Sequence, residues 1–449
     1  MKFERSETCG GKHRPQVSAL KAVKIGLLLA VLLSGCQVIQ SWLPAAPTQS
    51  AVQTPDATLQ PTQAAATITP AAFPETVTLT VWLPPQFDPN NGTPAGKLLG
   101  ERLKSFADQN DLTLNVRIKS LSGPAGLLES LEITSLAAPS AMPALIALPR
   151  EQMETAALKG LIYPLSGTNT SLEQNDWYPY ASELASVQGT PFCLPFAGDA
   201  LVMLYRPTRL PVPAADWQGA LNTNQMLIFP AGDPHALLTL ELYRAAGGQL
   251  RDADGRPKID VAALTAVLEL YHRGAQLSSF PFWLGEFNND AQAWQAYREQ
   301  RANWIVTWAS HYLGDFPADT NIAGLPSFGE PVSAADGWAW CIADPDLNRR
   351  TLGLQMAEHL AESNFLAAWT QAAGYLPTRP SALAAWQNPS LSAPLQSILS
   401  TAHLRPGNVI VETLGPILRD AVLKIIQQHA VPAEAAQQAA DQLTLPKSP

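Results

Sequence analysis

Aromatic and acidic side chains are the residues with a chemistry to offer in this 449-residue chain. Trp177-Tyr178-Pro179-Tyr180, Trp283, Trp304, Trp308, Tyr312, Trp338 and Trp340 do not run along one helix face. Sugar rings expose C–H patches that stack on aromatic faces, while their hydroxyls need planar polar partners. Trp and Tyr mixed with Asp and Glu therefore suit a carbohydrate. Asp199, Glu286 beside Trp283, and Arg379 are the polar candidates for ligand contact. On the other reading half of the tryptophans are core, and Trp304, inside an apolar run to Val306, is expected there.

Covalent chemistry has no foothold. Gly-x-Ser-x-Gly, His-Glu-x-x-His, a Walker loop and Cys-x-x-Cys are all missing, and the seven histidines are dispersed. No catalytic residue, metal site or cofactor is expected, although the paired carboxylates of a glycosidase need no fixed spacing and leave a hydrolase open. Asp252-Ala-Asp-Gly255 resembles part of a calcium loop, but the remaining ligands and the closing Glu are missing, so it reads as a hairpin turn. A formal charge of -9 with scattered Lys and Arg argues against a nucleic-acid surface. Only 15% of residues are charged while 12 are Trp, a balance that favours recognition by stacking and hydrogen bonds.

The N-terminus addresses the chain for export. Lys12, His13, Arg14, Lys21 and Lys24 precede the apolar run from Ile25 to Gly35, too short to span a bilayer and right for a signal-peptide core. Leu33-Ser34-Gly35-Cys36 looks like a bacterial lipobox, so residues 1–36 form the signal and Cys36 is the lipidation site; the alternative is a plain signal peptide with a chance cysteine. The long basic region allows a start downstream of Met1. Residues 37–75, rich in Ala, Pro, Thr and Gln, cannot bury enough surface to order themselves. About 39 such residues make a tether spanning on the order of 35 Å.

The elements that must position the aromatic and acidic groups follow. Val77, Leu79, Val81 and Leu83 alternate as in a strand, Leu99, Leu103, Phe106 and Ala107 fall at helical spacing, and Leu112 to Lys119 alternates again. A helix near Leu127 to Ala137, a buried strand Ala144 to Leu148 and a helix Arg150 to Lys159 come next. This alternation predicts an α/β fold with a parallel or mixed sheet, whose ligands lie beyond the carboxyl ends of the strands. Asp260 can cap a helix that buries Leu264, Val267, Leu268 and Tyr271, and Val409 to Gln428 reads as a long terminal helix. Gly189 to Pro207 carries one apolar strand ending at Pro195, a break at Ala197-Gly198-Asp199, and a second run to Tyr205. Small residues followed by an acid suit a hinge beside a cleft, and 449 residues suit two lobes.

Several segments, in order, resemble the family 1 extracellular solute-binding proteins of ABC importers, the maltose-binding-protein group. They include Met142-Pro-Ala-Leu-Ile-Ala-Leu148, Ala156 to Leu165, Leu194-Pro-Phe-Ala-Gly-Asp-Ala-Leu-Val-Met-Leu-Tyr205, Gly247 to Gly255, Gly337-Trp-Ala-Trp-Cys-Ile342 and Gly374-Tyr-Leu-Pro-Thr-Arg-Pro380. Ala144 departs from the pattern, standing where that family commonly has an acid. The resemblance implies a two-lobed periplasmic-binding-protein-like fold of type II, with discontinuous lobes joined by hinge strands near Leu194–Asp199 and Gly337–Ile342. Residues 76–197 with 341–396 would form one lobe, and 198–340 with 397–449 the other. It places the loop Thr307 to Tyr312 at the cleft, with Trp308 replacing a usual glycine and Ser310 a frequent tryptophan. The expected ligand contacts are then Tyr178, Asp199, Trp283, Glu286, Trp308, Ser310, Tyr312, Trp338, Trp340 and Arg379.

Cys9 leaves with the signal and Cys36 is lipidated, which leaves Cys193 and Cys341 in an oxidising setting. Both fall in the implied crossing strands, where they are expected either to form a disulfide or to stay as two buried thiols. The implied role is capture of a small solute by lobe closure and delivery to an importer permease, by a lipid-anchored monomer that touches the membrane only through its anchor. A ligand sensor or adhesin on the same fold is the alternative.

Overall fold

The structure, a computed structural model, describes residues 77–165, 167, 170–329 and 333–444. The export signal, Cys36 and the tether lie outside the described residues. Strands in chain order are β1 (Thr78–Leu83), β2 (Thr113–Ile118), β3 (Leu145–Pro149), β4 (Ser186–Val187), β5 (Thr190–Pro191) and β6 (Cys193–Tyr205). After them come β7 (Leu227–Ile228), β8 (Trp304–Trp308), β9 (Asn321–Ala323), β10 (Ser333–Cys341) and β11 (Ala402–Leu404). Nine strands form one sheet in the order β2-β1-β3-β10-β6-β8-β7, with β11 beside β10 and β9 beside β6, while β4 and β5 pair as a hairpin.

β1 pairs parallel with β2 and β3. Its alternation buries Leu79, Val81 and Leu83, and Trp82 on the other face is buried too, as a sheet covered on both sides requires. Val77 does not join that row: it precedes the first paired residue and is 43% exposed. The helix Pro94–Gln109 starts on a proline, with Thr93 Oγ1 accepting the Gly96 amide at 3.0 Å, and buries Leu99, Leu103 and Phe106. Helices Leu127–Ala137 and Arg150–Leu158 flank β3 in sequence. Asp260 caps the helix Val261–Gln276 through the amides of Ala262 and Ala263, and the last long helix runs Asn408–Gln428. Asp252 Oδ1 accepts the amides of Asp254 and Arg256, which closes a turn whose stems meet at Arg251 and Pro257.

The expected break at Ala197-Gly198-Asp199 does not occur, because β6 is one thirteen-residue strand whose two halves have different neighbours. Its first half runs antiparallel to β10, and Leu201–Tyr205 runs antiparallel to β8. A register shift between Trp338 and Ala339 bulges Phe196 out of the ladder. Gly198 is there for closeness. A Cβ at that position would collide with Tyr180 Oη, and its amide and carbonyl already bond to the backbone of Leu376 at 2.7 and 2.8 Å. Since Tyr180 is fully buried, Gly198→Ala is expected to cost about 1–3 kcal/mol by overpacking. Urea unfolding midpoints for the two proteins would show it, and equal midpoints would mean the tyrosine moves aside freely.

Cys193 and Cys341 are register partners at one end of the β6–β10 ladder and are joined by a disulfide. Toward the other end Asp199 stands directly opposite Asp336. Among the described residues no helix is long and apolar enough to cross a membrane, and no three His, Cys, Asp or Glu side chains are grouped to hold a metal ion.

Candidate functional site

Beside the β6–β10 ladder lies a cavity of about 500 Å3. The two long strands supply Asp199, Asp336, Gly337 and Trp338. From β3 and the helix after it come Pro149 and Glu151, joined by Tyr375. Trp308 ends β8 and Ser310 follows it, Asp233 to His235 with Leu237 come from the loop and start of the helix Leu237–Ala245, Asn288 and Asn289 precede the helix Asp290–Arg298 that Asp290 opens, and Arg405 follows β11. Three aromatic faces and five carboxylates thus line one space.

Asp199 is held by neutral donors. Its Oδ1 accepts the amides of Ala200 at 2.9 Å and Ser310 at 3.0 Å, the second being an early amide of the short helix Ala309–Asp315, which lacks a cap of its own. Burial pushes the Asp199 carboxyl up to about 7, against the pull of the Ser310 hydroxyl, of those two amides and of His311. Asp233 is raised as well, chiefly by burial. Asp336 is different: Arg405 Nε donates to its Oδ2 at 2.7 Å, and that guanidinium is buried. Asp290 Oδ2 takes the Thr307 hydroxyl at 2.7 Å and faces His311 Nδ1 at 2.9 Å. Burial opposes a charged His311, but Asp290 with the help of Asp199 and Asp315 outweighs it and the imidazole pKa is raised.

Of the sequence-predicted contacts, Asp199, Trp308, Ser310 and Trp338 line this cavity together. The other six do not. Trp340 shares a strand face with Trp338 but lies deeper, 1% exposed and stacked on Phe196 at 4.1 Å, as part of the core. Tyr178 is buried and donates its hydroxyl to Gln396 at 2.6 Å. Arg379 is also buried, its guanidinium 4.0 Å over Trp177 and 3.6 Å from Asp176. Tyr312 packs against Phe316, while Trp283 takes Arg301 over its ring at 4.4 Å. Glu286 faces a separate surface groove with Arg301. Tyr178, Trp283, Tyr312, Trp340 and Arg379 are each packed against a neighbour within the chain, and Glu286 is exposed away from the cavity.

Sequence reasoning missed Asp233, Asn289, Asp290, Asp336, Tyr375 and Arg405. Two had signals: Asp336 directly precedes the Gly337-Trp338 pair, and Tyr375 sits inside the segment Gly374 to Pro380. Asn289 caps the helix it precedes through the Gln292 amide, a feature that reads as structure rather than site.

Residues 101–394 match the family model for the bacterial extracellular solute-binding protein. No curated protein matches the chain in sequence. Among solved structures, the cyclic alpha-maltosyl-1,6-maltose binding protein of Arthrobacter globiformis is similar with a TM-score of 0.68 at 15% identity, over 82% of this chain and 99% of that one. The sugar-binding protein MalE of Xanthomonas citri gives 0.67 at 15% identity, over 82% and 96%. Maltose-bound MalE3 of T. maritima gives 0.63 at 16% identity, over 82% and 99%. These likenesses show a two-lobed, periplasmic-binding-protein-like α/β fold. With its family match covering most of the described residues, the chain belongs to the bacterial extracellular solute-binding protein family.

Proposed function

We propose that this protein captures a saccharide in the β6–β10 cavity by lobe closure and delivers it to an ABC importer permease. The observation that carries the reading is the cavity itself, where Trp308, Trp338 and Tyr375 offer stacking faces among the acceptors Asp199, Asn289 and Asp290. The names of the similar structures point the same way, since maltose, maltotriose and maltotetraose are bound by three of them. The lobes we assign are 76–197 with 341–396 and 198–340 with 397–449, hinged on β6 and β10. Ligand that touches both favours the closed form, and that form docks on the permease. No covalent step is required. In this reading the chain is exported, cut before Cys36, lipidated there, and acts as a monomer on its tether.

A thermal-shift screen against mono- and oligosaccharides tests the ligand class, because a solute bound only to the folded protein raises the melting temperature. A saccharide at about a hundred times its Kd adds about 2.7 kcal/mol, enough for a rise of several degrees. Trp338→Ala should then weaken that saccharide about tenfold, the worth of one lost stacking face. Shifts produced by peptides and by no sugar would end the carbohydrate reading.

A further inference from the structure

We propose that the captured solute carries an ammonium group, which seats against Asp199. This rests on the reading of the β6–β10 cavity as the saccharide site and adds a charge to its ligand.

The argument is one of compensation. Asp199 and Asp336 are register partners on adjacent strands, so their side chains leave the same face side by side, an arrangement that is unfavourable for like charges. Arg405 answers only one of them, at 2.7 Å from Asp336. Asp290 is answered by His311 at 2.9 Å. Asp199 has no Lys or Arg within ion-pair distance among the described residues; the amides of Ala200 and Ser310 and the Ser310 hydroxyl hold it, and His311 acts on it only from a distance. Asp233, on the same cavity, meets the half-exposed His235 imidazole at 3.9 Å and feels Arg419 only from beyond ion-pair distance. Five carboxylates thus share the lining with a single guanidinium. Neutral hydroxyls can use these carboxylates as acceptors but leave their charge unanswered, whereas a cation entering the site replaces water around carboxylates already partly desolvated and supplies the missing charge. The raised pKa of Asp199 agrees: burial drives it, and the Ser310 and Ala200 hydrogen bonds together with His311 do not offset that burial. Trp308 and Trp338 suit the same guest, because indole faces attract both ring C–H groups and ammonium.

The test is calorimetric titration of the purified full-length protein at pH 7 with matched pairs. Glucosamine would be set against glucose, galactosamine against galactose, and the glucosamine disaccharide against cellobiose, with spermidine as a cation that is not a sugar. At least one aminated sugar is expected to bind about tenfold tighter than its hydroxyl counterpart, the usual worth of a charge-assisted bond. Asp199→Asn should shrink that preference to under about threefold while Asp199→Glu retains it. If either variant fails to fold, the preference of the unaltered protein should still fall between low and high salt. Neutral sugars that bind as well as their aminated partners overturn the ammonium and leave the saccharide reading intact. Binding of spermidine alone keeps the ammonium and overturns the saccharide. Silence across the panel overturns the proposal.

Discussion

Replacing Cys193 and Cys341 together by alanine is expected to lower stability by about 2–5 kcal/mol. The bridge spans 148 residues of sequence, so its loss returns a large loop entropy to the unfolded chain, for which the loop-closure model gives an upper figure of about 5 kcal/mol. Both residues are fully buried at facing positions of the β6–β10 ladder, and the alanines also leave a small void there. At roughly 2–4 °C per kcal/mol, scanning calorimetry should find the melting temperature lower by about 5–15 °C, and untreated protein held in reductant should move the same way. A variant that melts within about a degree of the original would show that the strands hold their register unaided.

Asp199→Asn should make stability depend less on pH. In the folded chain the carboxyl titrates at about 7 rather than 3.8, so between those values the folded state holds a proton that the unfolded state has released. The stabilisation from this group is therefore complete below about pH 4, declines as pH rises, and is lost above about 7. The difference sets an upper limit of about 4 kcal/mol, and residual solvent contact at the cavity lining brings it nearer 2. Asparagine keeps an acceptor for the Ala200 and Ser310 amides without the charge. The variant should melt higher than the original at pH 8, an advantage that vanishes by pH 4.5. Parallel melting curves across that range would contradict the burial argument.

What could be read ahead of the coordinates depended on whether a residue's role is local. Leu79, Val81 and Leu83 declare a strand because alternation is a property of the strand itself. Asp260 declares a cap for the same reason. Gly198 misled, since a glycine before an acid has the composition of a turn, and its actual reason is Tyr180, eighteen residues away. The aromatic set divided because indole and phenol serve a core as well as a cleft: Trp338 reaches the cavity and Trp340, two residues on, is buried against Phe196. Arg405 was invisible because its partner Asp336 stands 69 positions earlier, and only the meeting of β11 with β10 brings them together.

The place of β10 between β3 and β6 also governs how the molecule is made. β3 ends at Pro149 and its missing neighbour starts at Ser333, so at about 5–20 residues per second one edge of the first sheet waits about 10–40 s during synthesis. Until then it offers unsatisfied amides and carbonyls to any other nascent chain. A fragment that stops short of residue 333 keeps that edge permanently, and its fate is to be held by a chaperone or to aggregate.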